Sequence, residues 1–121
     1  MQENDKSNNA VAINTGAVLI YTTFPSAESA EKAGAALVDR GIAACVNLLQ
    51  GMTSIYVWQG KRQRDIEAAM IIKTRASLAE EAIRVIREGH PYSNPALLVL
   101  PVVGGSQDFI SWIKEQTVQS T

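Results

Sequence analysis

The only histidine of the chain, His90, lies in a short segment that also holds two of its four prolines, Pro91 and Pro95. A proline pushes the residue before it out of the helical region, and both His90 and Asn94 precede a proline. We therefore expect His90 and its neighbour Tyr92 to lie in a rigid turn at the exit of a helix. The imidazole there could serve as a ligand, or it could be structural and hydrogen-bonded within the turn.

Glu67 and Lys73 lie six positions apart on one predicted strand. Because side chains alternate along a strand, both point to the same face, about 20 Å apart, and cannot pair directly. Two roles are equally compatible with each residue. It could form an ion pair that stabilises an assembly of subunits, or it could line a ligand-binding cleft, in which Lys73 would face Tyr92.

Tyr56 and Trp58 are two positions apart and therefore share one face of a predicted strand. An aromatic pair on a hairpin is more typical of a contact between subunits than of a base-stacking surface. Cys45 lies between apolar neighbours, where a cysteine is usually a small core residue rather than a ligand or nucleophile.

Composition narrows the class of protein. The 121 residues are 46% hydrophobic and carry 11 basic and 12 acidic side chains, for a net charge of -1. This balance gives no support to a nucleic-acid function, and no apolar run approaches the roughly 20 residues of a membrane helix. A single cysteine excludes an intrachain disulfide and fits a reducing compartment, so we expect a cytoplasmic protein. Residues 1–15 are predicted to be a disordered polar tail rather than a signal peptide, and residues 16–118 a single domain.

The period of the apolar residues changes in a regular order along the chain. Strands are predicted over residues 17–24, 43–58, 67–73 and 96–103. One helix is predicted to start at Ser26, one at a Ser77/Glu80 capping box, and one at Ser106 with Phe109, Trp112 and Ile113 on one side. This order predicts an α+β, ferredoxin-like βαββαβ sandwich with an extra C-terminal helix, both main helices lying on one face of an antiparallel sheet.

The second and third strands are predicted to form a long hairpin with a turn over residues 59–65 and a bulge or bend at Gly51. Both strands exceed the average length of about 5 to 6 residues, so their ends should project beyond the sheet. Apolar residues on the projecting part, such as Ile55 and Val57, would then face water. A partner subunit would cover them.

Together these segments resemble the CutA divalent-cation-tolerance family over roughly residues 17–113. The resemblance rests on several motifs in one order: Ala43-Ala44-Cys45-Val46-Asn47, Ser54-Ile55-Tyr56-Val57-Trp58-Gln59-Gly60-Lys61, Glu67 before Lys73-Thr74, His90-Pro91-Tyr92 with Pro95, and a closing helix with Trp112. It implies a ferredoxin-like protomer in a tight homotrimer, similar in outline to the nitrogen-regulatory PII proteins, and a role in tolerance of divalent metals, copper above all.

For copper, the available donors are His90, Glu67, Cys45 and three methionines. Some copper-binding relatives carry a cysteine near the end of the first strand and a second histidine beside the first. This chain has Thr23 and Gly89 in those regions. We therefore expect no obligatory cofactor, and copper(II) or another divalent metal bound weakly or between subunits.

Two other classes of function remain open. A PII-like regulatory or scaffold trimer would bind a small anionic ligand or a protein partner in clefts between subunits, using Lys73, Tyr92 and the region of Glu67. Acylphosphatase shares the ferredoxin-like topology, but it needs an arginine in a glycine-rich loop after the first strand. Residues 22–26 offer neither arginine nor glycine, so no catalysis is predicted.

Overall fold

The computed structural model describes residues 14–118; the last three residues and residues 1–13 of the predicted tail lie outside the described part. Its elements are β1 (Ala17–Phe24), α1 (Ala27–Asp39), β2 (Cys45–Trp58), β3 (Lys61–Arg75), a 3-10 turn (Ala76–Leu78), α2 (Ala79–Glu88), β4 (Leu97–Pro101) and α3 (Gln107–Glu115). Contacts begin earlier than the predicted domain boundary, since the Thr15 hydroxyl already donates to the carbonyl of Val102.

The four strands form one antiparallel sheet in the order β2-β3-β1-β4, as the ferredoxin-like prediction requires. Both α1 and α2 pack on the same face of this sheet, where alternate residues of β1 and β3 are buried. The core comprises Ile20, Phe24, Met70 and Ile72 from the sheet, with Ala30 and Leu37 from α1 and Ala82 and Ile86 from α2. The predicted arrangement is therefore confirmed.

The small residues of α1 allow it to lie close to the sheet. A Cβ atom at Gly34 would come within 2.8 Å of Val46 Cγ2, so the helix could not keep this position with a larger residue. The start of α1 is also as predicted, because the Ser26 side chain accepts a hydrogen bond from the backbone of Ser29.

The hairpin turn is shorter than predicted. Only Gln59 and Gly60 form it, with φ angles of 51° and 78°, and β3 begins at Lys61. Positive φ at both central residues is typical of a two-residue turn that matches the twist of its strands. The charged residues 61–65, which suggested a loop, lie instead on β3. The strand is exposed on both faces there, so its residues do not alternate between apolar and polar. The bulge at Gly51 is confirmed by its φ of 73° and by a register shift between Leu49 and Met52.

One prediction about helices is wrong. Ser77 forms no cap, because the chain leaves β3 through the 3-10 turn, whose Leu78 is buried, and α2 begins without a side-chain cap. On α3 the buried residues are Ile110 and Ile113, which pack with Ala17. Phe109 and Trp112 are exposed instead and stack on each other.

None of the helices within residues 14–118 has the length and apolar content needed to cross a membrane.

Candidate functional site

The far half of the hairpin extends beyond the rest of the sheet. β1 ends at Phe24, opposite Ala68, so residues 61–67 of β3 pair only with residues 52–58 of β2. We call these two segments the ribbon. No third strand pairs with the ribbon, so it has two faces that the rest of the sheet does not cover.

The register of the ribbon separates those faces by chemistry. Ser54 pairs with Asp65 and Met52 with Glu67, so Tyr56, Trp58 and both carboxylates lie on one face. The opposite face carries Ile55, Val57 and Ile66, which are 64%, 68% and 54% exposed. One face is thus polar and aromatic. The other exposes the aliphatic side chains of Ile55, Val57 and Ile66 beside Arg62 and Arg64, which pair with Val57 and Ile55. We call it the apolar face, after its three aliphatic residues.

The turn after α2 holds His90 beside the end of β1, as the two X-Pro pairs predicted. The His90 ring stacks on Phe24 with ring centroids 4.3 Å apart. Its Nδ1 accepts from the backbone N–H of Tyr92 at 3.0 Å, so the proton lies on Nε2, which donates to the carbonyl of Thr23 at 2.7 Å. Both ring nitrogens are therefore engaged in shaping the turn.

This turn places Tyr92 against the ribbon, where β1 would otherwise have continued. The Tyr92 hydroxyl donates to Glu67 Oε2 at 2.7 Å, and the Tyr56 hydroxyl donates to Asp65. Each phenol thus occupies one oxygen of a carboxylate, and no group within residues 14–118 donates to the other oxygen.

Between the ribbon and the turn lies a cleft of about 490 Å³. Its lining residues are Tyr56, Trp58, Asp65, Glu67, Pro91, Tyr92, Ser93 and Asn94. Two of these are acids and none is a lysine or arginine, so the lining carries a charge of -2 when both carboxylates are ionised. A cleft of this composition favours cations over anions.

Burial and the neighbouring carboxylates both favour the neutral form of the phenols and so raise their pKa. Burial, and then the hydrogen bond to Glu67, raises the pKa of Tyr92 far above its usual value. For Tyr56, the hydrogen bond to Asp65 is the main cause of a raised pKa. Both phenols consequently remain hydrogen-bond donors throughout the physiological range.

The raised pKa predicts a specific alkaline instability. Above the usual tyrosine pKa of about 10, the unfolded chain loses the Tyr92 proton that the folded chain keeps, so the free energy of unfolding should fall as pH rises. The fall should be smaller in Tyr92→Phe, which has no proton to lose. Urea denaturation between pH 8 and pH 11 measures this, and parallel curves for both proteins would contradict it.

The structure brings together four of the predicted site residues: Tyr56, Trp58, Glu67 and Tyr92 line one cleft, with His90 behind it. Asp65 belongs to the same cleft but was interpreted as part of a solvated loop. Its two-residue spacing from Glu67 was the available signal, since it places both carboxylates on one face.

Within one chain, Lys73 does not face Tyr92, so the two side chains share no cleft of the protomer. It lies six residues along β3 from Glu67, and its Nζ is 5.3 Å from the ring centroid of Phe109 on α3. Cys45 pairs with Lys73 at that same distant end, half-buried. Within residues 14–118, no three His, Cys, Asp or Glu side chains come together to hold a metal ion.

Comparison with known proteins gives a consistent result. The family model described as CutA1 divalent ion tolerance protein matches residues 18–116. The chain is 38% identical over 100 residues to the divalent-cation tolerance protein CutA of Escherichia coli, covering 83% of this chain and 89% of that protein. It is 39% identical over 100 residues to the chloroplastic protein CutA of Arabidopsis thaliana, covering 83% of this chain but 55% of that protein. The chain thus spans about half the length of the Arabidopsis protein.

Solved structures agree with these sequence matches. The crystal structure of CutA1 from Oryza sativa superposes with a TM-score of 0.83 at 35% identity, covering 86% of this chain and 95% of that one. The divalent cation tolerance protein of Thermus thermophilus gives a TM-score of 0.81 at 34% identity, covering 84% of this chain and 99% of that one.

Proposed function

Because this chain belongs to the CutA1 divalent ion tolerance family, we propose that it binds divalent metal ions such as copper(II), weakly and reversibly, as part of a homotrimer. The observation that carries the metal proposal is the pair of carboxylates, Asp65 and Glu67, on one side of a cleft whose lining within residues 14–118 has no basic residue. The role is one of binding, with no catalytic step.

The donor chemistry fits a weakly held metal. Asp65 and Glu67 each keep one carboxylate oxygen beyond the oxygen that a phenol occupies. Oxygen ligands suit copper(II) and other divalent ions. Two carboxylates alone make a shallow site, so water or a neighbouring subunit would complete the coordination. This agrees with an exchangeable ion rather than a resident cofactor.

The other predicted donors contribute unequally to this proposal. For His90 to bind the metal, one ring nitrogen would first have to release Thr23 or Tyr92, which costs a partly buried hydrogen bond. Cys45 lies at the other end of β3 from the carboxylates, outside the cleft. We therefore assign the binding to Asp65 and Glu67 and test His90 separately.

The same two carboxylates disfavour a small anionic ligand at this cleft, because they would repel it. Lys73 does not offset their negative charge, since its Nζ lies near Phe109 of α3. A reducing compartment, which the single Cys45 favours, remains the location we propose. Relatives are named for other places, the chloroplast in Arabidopsis thaliana and the periplasm in Archaeoglobus fulgidus.

Isothermal titration of copper(II) tests the metal proposal. We expect the double variant Asp65→Asn/Glu67→Gln to lose at least about tenfold in affinity, because it removes both charged oxygen ligands that we assign to the ion. Glu31→Gln/Asp39→Asn is the matched control, since it makes the same charge change at exposed positions of α1. It should bind as the wild type does.

Equal isotherms for the wild type and the cleft variant would sink the metal proposal. A titration of His90→Ala in the same series decides its separate role. Loss of binding beyond that of the cleft variant would make the imidazole a ligand, and a smaller loss or none would make it structural.

The trimer is supported by the apolar face of the ribbon and by the edge of the sheet. Ile55 and Val57 are more than 60% exposed, and the outer strand β4 exposes Leu98 and Leu100 at 60% and 46%. A free strand edge with apolar side chains invites pairing with another chain. Copies of this chain would cover both surfaces.

A further inference from the structure

The cleft is walled by aromatic rings as well as by acids. Tyr56 and Trp58 stand two residues apart on the ribbon, and Tyr92 faces them from the turn. Aromatic ring faces do not coordinate a bare metal ion, which binds nitrogen, oxygen or sulfur donor atoms at about 2 Å. Ring faces attract larger cations, which retain their charge while being partly desolvated. The three rings therefore indicate a ligand that a metal site does not explain.

The polar groups of the cleft specify the same ligand further. The two phenols are committed as donors to Asp65 and Glu67, whose remaining oxygens can only accept. A ligand that matches them must carry a positive charge and N–H donors. Guanidinium and ammonium groups meet both conditions, and guanidinium also stacks flat on aromatic rings.

The size of the cleft agrees with a small organic molecule. Its volume of about 490 Å³ falls within the usual 300–1,000 Å³ of ligand pockets. Pro91, Ser93 and Asn94 close the side opposite the ribbon, so an alkyl chain attached to the cationic group could lie along the turn.

We propose that this cleft binds an organic cation with N–H donors, an alkylguanidinium or alkylammonium ion, between the carboxylates of Asp65 and Glu67 and the rings of Tyr56, Trp58 and Tyr92. The inference rests on the proposed function for the cation-selective charge of the cleft, and it depends on the rings in addition. The two ligand classes share the carboxylates and compete for them.

The test uses the full chain with Trp112→Phe, which leaves Trp58 as the only tryptophan and therefore as a reporter in the cleft. The probes are n-butylguanidinium and n-butylammonium chloride, and neutral n-butylurea is the control of similar shape. At constant ionic strength, we expect a saturable change in tryptophan fluorescence with either cation and none with the urea. The tighter cation identifies the preferred head group.

Calorimetry on two variants then separates the organic cation from the metal. Glu67→Gln should weaken the cation about tenfold or more, as expected for a charged hydrogen bond. Trp58→Leu should weaken it about threefold to thirtyfold, as expected for a cation held against a ring, and should leave copper(II) affinity unchanged. Glu31→Gln again controls for net charge.

Three results would overturn the inference: no saturation with either cation, equal binding of the neutral urea, or unchanged cation affinity in both Glu67→Gln and Trp58→Leu. The two proposals fail independently. Copper(II) binding without cation binding removes only the organic ligand, and cation binding without copper(II) binding removes only the metal.

Discussion

The double variant Ile55→Asp/Val57→Asp is expected to sediment as a monomer at micromolar concentration, where the wild type is expected to sediment as a trimer. Both side chains lie on the apolar face of the ribbon and are more than 60% exposed in one chain. Full burial of such a side chain contributes about 1.5–3 kcal/mol, and an aspartate at either position would forfeit that contribution. Three copies of each change would act on one assembly, so the loss should be complete.

The fold of the protomer should survive these changes, because the ribbon beyond Ala68 packs on no other strand of its own chain. Val38→Asp is the matched control, since Val38 is a 41% exposed valine on α1, away from the ribbon. It should remain trimeric in sedimentation velocity. A monomeric wild type, or a trimeric double variant, would refute the proposed role of the apolar face.

Phe24→Ala should produce the largest loss of protomer stability, about 3–5 kcal/mol. Phe24 is 1% exposed and belongs to the main core cluster. Because small domains are stable by only about 5–15 kcal/mol, the denaturation midpoint in urea should fall steeply. The only other phenylalanine, Phe109, is 45% exposed on α3, and Phe109→Ala should cost far less.

The same change should also weaken the cleft. Phe24 carries the His90 ring at a centroid distance of 4.3 Å, and His90 in turn accepts the backbone N–H of Tyr92. Without that support, the hydrogen bond from the Tyr92 hydroxyl to Glu67 should weaken and the carboxylate should be less well positioned. The copper(II) affinity of the folded variant should therefore fall. Equal stability losses for the two phenylalanine variants would contradict the packing argument, and unchanged copper(II) affinity would contradict the link to the cleft.

Most helices and strands could be predicted from local sequence patterns, because propensity, proline positions and capping residues determine where they begin and end. β1 was predicted over residues 17–24 and is observed there, since a run of β-formers ends at Pro25. Single residues also determine the helix caps and the bulge. The side chains of Ser26 and Ser106 accept hydrogen bonds from backbone N–H groups, and Gly51 adopts a positive φ. The Ser77 cap failed because the buried Leu78 holds the chain in a 3-10 turn there, and tertiary packing outweighed a local motif.

The ribbon shows where local pattern was insufficient. All of its residues 61–67 except Ile66 are polar or charged, because this part of β3 has no strand neighbour other than β2. They therefore lack the apolar alternation that identifies a strand. The prediction consequently placed Asp65 in a loop. Only the register with β2 shows that Asp65 and Glu67 share a face with Tyr56 and Trp58.

By itself, the sequence determined the order of strands and helices, the rigid turn around His90 and the aromatic spacing on β2, because each depends on residues close together in the chain. Only the tertiary structure decided which of these meet. Tyr92 reaches Glu67, 25 positions away, because β1 stops at Phe24 and the turn fills the space beside β3. Lys73 is separated from both by the length of that strand, which leaves the cleft acidic. The charge of a site depends on which distant side chains the packing brings together, and no pattern within one segment contains that information.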